Sequence, residues 1–233
     1  MDQVAAQRLF DSSAETYDRV NSIVSLGLDA RWRDWAARQA AIGRHARVLD
    51  AFTGTGLVGL RAAELGEIVT IADIRPEMLA VARRRADERG LSVRRIVADL
   101  ADESPEVGGP YDAVTLMWGL RYLDDPANAL RRLASLVVPS GRIVVVDFVE
   151  PSSGVISYLA AAYFFNVLPW IAGTLAGRRE LYRELVATTH AMGTREHLVS
   201  LVREAGLVVE REHVMGFGLV AGVVAKHPTQ PGD

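Results

Sequence analysis

A chain of 233 residues, 49% of them hydrophobic, carries enough apolar material to bury the core of one α/β domain, so a single domain spanning 1–233 is the default reading. Its formal net charge of −3 leaves no basic excess to neutralise a run of phosphates, which argues against bulk nucleic-acid binding. Cysteine is absent, excluding disulfides, thiolate metal sites and a cysteine nucleophile, and the opening MDQVAAQRLFDSS lacks a secretory pattern, so the expected compartment is the cytoplasm.

Residues 1–45 read as mainly helical, with Trp32 and Trp35 three apart on one face, and are expected to cover the functional site. From residue 46 onward, short β-branched apolar runs alternate with helical patterns, the order that builds a mostly parallel sheet with helices on both faces. The expected strands are 47–52, 68–73, 93–99, 111–117 and 141–148. Pro76 opens a helix whose Met78, Leu79, Ala82 and Ala86 share a face and which Gly90 closes. A second helix is expected over 126–137, with Ala129, Leu130, Leu133 and Val137 in one buried stripe, before Pro139, Ser140 and Gly141 turn the chain into the fifth strand. After a helix near 194–205, GLVVEREHVM and GFGLVAGVVAKHP are strand-like runs so closely linked that they must pair antiparallel. The fold class is therefore α/β, a three-layer sandwich whose mostly parallel seven-stranded sheet ends in an antiparallel hairpin. Its divisions are a core over 46–150, a helical lid insertion over 151–192, and a C-terminal helix and hairpin over 193–228.

The strongest chemical signal is VLDAFTGTG at 48–56, a buried strand that ends in an acid and passes through a glycine-bearing turn into a helix. Glycine there lets backbone approach a ligand closely. The next strand, IVTIAD, ends in Asp73, about twenty residues beyond Asp50, where an acid can stand beside a bound ribose. Asp99 ends the third strand. Each acid could instead cap the helix that follows it, but three at successive strand ends favour a ligand, because open α/β sheets bind ligands there. A dinucleotide fingerprint would read G-x-G-x-x-G, and a pyrophosphate site is disfavoured on the spacing of Gly54, Gly56 and Gly59.

The strand, acid and GTG turn, the acid ending strand two and VADL at strand three together resemble the S-adenosylmethionine pocket of class I methyltransferases, a Rossmann-like fold. The resemblance implies that Gly54 and Gly56 lie against the amino-acid part of the donor, that Asp73 accepts hydrogen bonds from both ribose hydroxyls and that Asp99 reaches the adenine amino group. Asp50 would hold the loop or the donor ammonium, and Thr53, Ile74, Leu100 and Trp118 would complete the cofactor site. Phe52 stands where many of these enzymes have glycine, so the loop is expected to be shaped differently there.

Over nearly its full length the chain also resembles the ubiquinone/menaquinone biosynthesis C-methyltransferase family. The matching segments are FDSSAETYDRVNSIVSLGLDARWR, ADIRPEML, WGLRYLDDPANALR, VVVDFVEP, FFNVLP and ELYRELV. That resemblance implies methylation of a ring carbon of a demethylated prenyl-quinol, without a metal. Arg121 would stabilise the phenolate or orient a water, Tyr17 would close over donor and substrate, and Asp147 would receive the proton through water. Each has a plainer reading: an ion-paired arginine, a packing tyrosine, an acid capping the exit from the sheet. His190 has the chemistry of a base but stands where the family places no histidine. Tyr122 replaces an asparagine common after the arginine, which leaves open methylation of another small molecule at oxygen, nitrogen or carbon, or a binding module without catalysis. A nicotinamide oxidoreductase is the further competitor. The uncharged segment 155–177 is read as an apolar lid or a patch resting on the inner membrane face to collect a lipophilic substrate, with a homodimer contact or ordinary core as alternatives.

Overall fold

The computed structural model describes residues 22, 25, 27–43, 45–102, 104–151, 154–167 and 179–228. Helix α1 (Leu28–Ala40) precedes strand β1 (Arg47–Ala51), followed by α2 (Leu57–Glu64), β2 (Ile68–Asp73), α3 (Pro76–Glu88) and β3 (Val93–Val97). Strand β4 (Tyr111–Met117), a single 3-10 turn at Leu120–Tyr122, α4 (Pro126–Ser135) and β5 (Val137–Phe148) come next. An insertion then contributes α5 (Val155–Ala162), a π-helical turn at Tyr163–Val167 and α6 (Arg179–Met192). The chain finishes with α7 (Arg195–Glu204), β6 (Val208–Met215) and β7 (Val220–Lys226). Tyr17, most of the expected N-terminal cover and residues 168–177 of the uncharged segment lie outside the described residues.

The seven strands lie in the order β3-β2-β1-β4-β5-β7-β6, parallel except at β7, which pairs antiparallel with both β5 and β6. The order reverses between β1 and β4, and that switch point opens a crevice at the strand carboxyl ends. Alternation along each strand divides the core in two. Leu49, Ile143 and Val145 pack with Leu130, Leu133, Leu198 and Val202 of α4 and α7. On the other face Val48, Val144 and Val146 pack with Trp32, Ala36, Val58, Leu79 and Ala82 of α1, α2 and α3. The expected sandwich and hairpin are thus present, and β2 and β4 run as expected.

Strands β1 and β3 end at Ala51 and Val97, short of the expected 52 and 99, so Asp99 stands two residues beyond β3; two further boundaries differ for a local reason. Helix α4 stops at Ser135, and Val137, expected on its buried stripe, instead pairs with Tyr111 as the first residue of β5. Pro139–Gly141 therefore turns inside β5, where the register skips from Tyr111↔Val137 to Ala113↔Arg142. Gly141 is required because a Cβ there would stand 2.5 Å from the Asp112 carbonyl oxygen.

Candidate functional site

The loop between β1 and α2 is tied down by carboxylates. Asp50, buried at the end of β1, accepts hydrogen bonds from Thr115 Oγ1 of β4 at 2.6 Å, from Gly59 N at 2.9 Å and from the Thr53 hydroxyl. Gly56, at the N-cap of α2, has no side chain to satisfy the helix's first amides, so an acid from the preceding strand does so instead. Burial pushes the Asp50 carboxyl above its ordinary value, and its three donors oppose that shift. Of the two roles expected for Asp50, holding the loop is the one its oxygens perform.

Asp73, 5% exposed at the end of β2, takes the Gly54 amide on one oxygen at 2.7 Å and the Arg75 amide on the other at 3.0 Å. Asp99 repeats the second pattern, accepting from Ala101 N at 3.0 Å. Each oxygen retains a second lone pair for a ligand hydroxyl or amino group. The three acids stand at three successive strand ends beside one cavity of about 250 Å³, which Asp50, Thr53, Gly54, Asp73, Ile74, Asp99 and Trp118 all line. Nothing stands within 4 Å of where a Gly54 Cβ would be, so the loop backbone is open to a ligand there.

Gly56 and Leu100, expected at the cofactor, do not line that cavity. A Cβ on Gly56 would stand 2.7 Å from Ala82 Cβ, so this glycine serves the close approach of α2 and α3, and its φ of 80° suits a residue without a side chain. Leu100 is buried in the core. Gly54, Gly56 and Gly59 do stand in G-x-G-x-x-G register, contrary to the expectation that the spacing would disfavour a dinucleotide. Gly59 has the packing role of a third glycine, with Ile71 Cγ2 2.6 Å from its would-be Cβ. Glycine spacing therefore does not separate a nucleoside from a dinucleotide.

Phe52 adopts φ 52° and Trp118 φ 66°, left-handed conformations costing a non-glycine residue about 1–2 kcal/mol each. The loop at Phe52 thus follows a path open to glycine despite the larger residue. In return the Phe52 ring becomes a cavity wall, packed where a Cβ on Gly119 would meet its own Cβ at 2.9 Å. Trp118 stacks on Phe148 with centroids 4.3 Å apart, and Phe148 stacks on Phe164 at 5.3 Å, so an aromatic string joins the cavity wall to the insertion.

Arg121 and Asp147, both expected to act on substrate, are paired with each other. Arg121 Nη1 lies 2.5 Å from Asp147 Oδ1, with side chains 2% and 0% exposed. The Asp147 carboxylate also accepts from the backbone amides of Arg121 and Phe148. Asp147 is therefore an anchor closed to solvent, and Arg121 does not line the cavity. Its guanidinium lies 4.5 Å from the centre of the Tyr122 ring, and its Nη2 donates to the Tyr122 hydroxyl at 3.0 Å. Tyr122 does line the cavity. His190 pairs through Nδ1 with Glu150 and stacks on Phe165 at 4.5 Å, within the insertion.

Three contributors escaped the sequence reading. Arg33 of α1, buried beside Asp29 at 3.2 Å, reaches the cavity. Thr115 is the hydroxyl within the apolar run 113–117 of β4, a signal that was available. Glu184 of α6 turns a buried Oε2 inward, and desolvation pushes its carboxyl up while the Arg121 charge pulls it down. Because its folded value lies above the unfolded one, ionising Glu184 costs stability as pH rises from the ordinary carboxylate range. Glu184→Gln should accordingly match the wild type in denaturant at pH 4 and exceed it at pH 7; a difference independent of pH would refute this sign.

A family model described as the ubiE/COQ5 methyltransferase family matches residues 1–229. The chain is 38% identical to a demethylmenaquinone methyltransferase of Thermus thermophilus over 94% of this chain and 100% of that relative. It is 30% identical to the ubiquinone/menaquinone biosynthesis C-methyltransferase UbiE of Proteus mirabilis, covering 97% and 90% of the two. In fold it resembles the magnesium protoporphyrin IX methyltransferase of Synechocystis, solved with bound SAH, with a TM-score of 0.68, 20% identity, and coverage of 97% and 100%.

Proposed function

The chain belongs to the ubiE/COQ5 methyltransferase family, and from that premise we propose that it uses S-adenosylmethionine to methylate a ring carbon of a demethylated prenyl-quinol of the demethylmenaquinol type. The observation that carries this reading is the alignment of Asp73 and Asp99 along one cavity whose loop backbone is open at Gly54. The substrate class is supported by the names of relatives similar over nearly the whole chain.

When bound, the donor supplies a methyl group on a sulfonium. The chain's own residues bind and orient. Asp73 accepts from the ribose hydroxyls with the lone pairs its two amide donors leave, Asp99 accepts from the adenine amino group, and Ile74 and Met78 offer apolar surface beside them. Phe52, Trp118 and Leu123 give the cavity apolar walls. A quinol ring carbon becomes nucleophilic as a neighbouring hydroxyl loses its proton, so correct alignment and a polarised oxygen can supply much of the rate.

Val155, Ile156 and Leu159 are 77%, 68% and 67% exposed on α5, the kind of apolar surface that rests on lipid where a prenylated substrate resides. Among the described residues no helix is long and apolar enough to cross a membrane. The test is methyl transfer from labelled donor to demethylmenaquinol in anionic vesicles. We expect a product heavier by one methylene unit and co-flotation of the protein with the vesicles; transfer to simple phenols but never to the quinol would overturn the acceptor, and protein left at the bottom of the gradient would overturn the membrane contact.

A further inference from the structure

The residue expected to act on the acceptor, Arg121, is closed off from the cavity, whereas its neighbour Tyr122 stands in the cavity wall with its hydroxyl oxygen in the guanidinium's grip. We infer that Tyr122 is the group that touches the acceptor, donating its phenolic hydrogen bond to the ring oxygen on which negative charge develops, and that Arg121 is a positioning residue acting through it. This rests on the proposed function, and deepens it at a position where the chain departs from the asparagine common in the resembling family.

The geometry supports a relay. The short 3-10 turn at Leu120–Tyr122 puts consecutive side chains on different sides, Arg121 inward against Asp147 and Tyr122 outward to the cavity. Asp147 takes Nη1, leaving Nη2 of the planar fork directed at the Tyr122 oxygen, 3.0 Å away, while the guanidinium carbon sits 4.5 Å from the ring centre. A phenol whose oxygen accepts from a cation becomes a stronger donor through its own proton. Among the described residues the charged groups facing this cluster include Asp147 of β5, hydrogen-bonded to the guanidinium, and Glu184 of α6, whose carboxyl feels the Arg121 charge. The pair spends its charge on Asp147 and on Tyr122, so the acceptor meets a hydrogen-bond donor instead of a bare cation. In the reaction a ring hydroxyl gives its proton to water and leaves the charged oxygen that Tyr122 holds; the methyl–sulfur bond then breaks with its electron pair kept by sulfur as the new bond forms to the ring carbon and the oxygen becomes a carbonyl. That carbon's proton leaves to water as aromaticity and the oxygen's charge return, the oxygen finally retaking a proton from water. Tyr122 holds its proton throughout.

The experiment compares wild type, Tyr122→Phe, Arg121→Lys and the double variant, the lysine keeping a cation beside Asp147 so that the fold is preserved. Losing one hydrogen bond to a charged oxygen should lower kcat about 30-fold in Tyr122→Phe, with S-adenosylhomocysteine affinity unchanged and the thermal midpoint a few degrees lower because the buried Nη2 loses its acceptor. If Arg121 works through Tyr122, the double variant is no slower than Tyr122→Phe alone, a non-additivity that a merely structural arginine would not produce. In parallel, 1,4-naphthalenediol is titrated into the S-adenosylhomocysteine-loaded protein. Binding weaker in Tyr122→Phe than in wild type supports the inference even should the quinol prove the wrong acceptor, in which case only the acceptor assignment falls. Equal binding in both proteins, binding in neither, or a Tyr122→Phe variant turning over within threefold of wild type overturns it.

Discussion

Asp73→Ala should weaken S-adenosylhomocysteine binding by about 1,000-fold, from the loss of two hydrogen bonds between ribose hydroxyls and a charged acceptor, each contributing about 1.5–3 kcal/mol. The carboxylate performs two tasks at once: its oxygens take the Gly54 and Arg75 amides, so it shapes the glycine loop as well as receiving the ribose. Asp73→Asn is no gentle control, because whichever way the amide is turned its NH2 meets a backbone N–H where a carboxylate oxygen had accepted. The useful comparison is between affinity and stability. Freeing two amides at the cavity rim, where water can reach them, should cost about 1 kcal/mol of stability, far less than the binding loss. Calorimetry against S-adenosylhomocysteine, with denaturant unfolding alongside, checks both, and a Kd within fivefold of wild type would remove Asp73 from the donor site.

Asp147→Ala attacks the fold more than the ligand. Its carboxylate is fully buried, holds the Arg121 guanidinium and takes two backbone amides, so removal leaves a buried cation short of its counter-ion. Breaking a buried pair from one side costs about 3–5 kcal/mol, which in a chain of this size lowers Tm by about 10 °C. Replacing both partners, as Arg121→Met with Asp147→Leu, should recover most of that loss, since apolar side chains of similar volume have no charge to desolvate. Turnover should stay lowered in the double variant, by no more than the loss in Tyr122→Phe, because the Arg121 guanidinium no longer holds the Tyr122 oxygen. Recovered stability without recovered turnover would identify the pair as kept for orientation. An Asp147→Ala variant within 1 kcal/mol of wild type would contradict the burial argument.

The aromatic walls and the strain at Phe52 and Trp118 bear on the same economy. Left-handed φ at bulky residues persists only where surrounding packing over-determines it, and both residues sit on loops that leave strand ends at the switch point. What is given up in backbone conformation is returned as surface beside the cavity, with Phe148 stacked on Trp118 to hold it.

The sequence by itself determined the sheet, its hairpin and the three acids at strand ends, because each is a local pattern: short apolar runs rich in β-branched residues, a short Gly-rich link that admits only antiparallel pairing, and carboxylates ending apolar runs. It also carried the family, through matched segments in order. Tertiary structure alone decided which of the named residues face the cavity. Arg121 and Asp147 look equally available along the chain, yet the sheet brings residues 26 positions apart within hydrogen-bonding distance, and a buried charge takes its nearest counter-ion before any ligand. Tyr122, read from sequence only as a departure from pattern, is left holding the cavity wall. Gly56 likewise reads as a ligand glycine until α3 is seen packed against it. Local pattern specifies which elements form; which side of an element meets the ligand depends on long-range packing, where exclusion of water decides among partners that no spacing distinguishes.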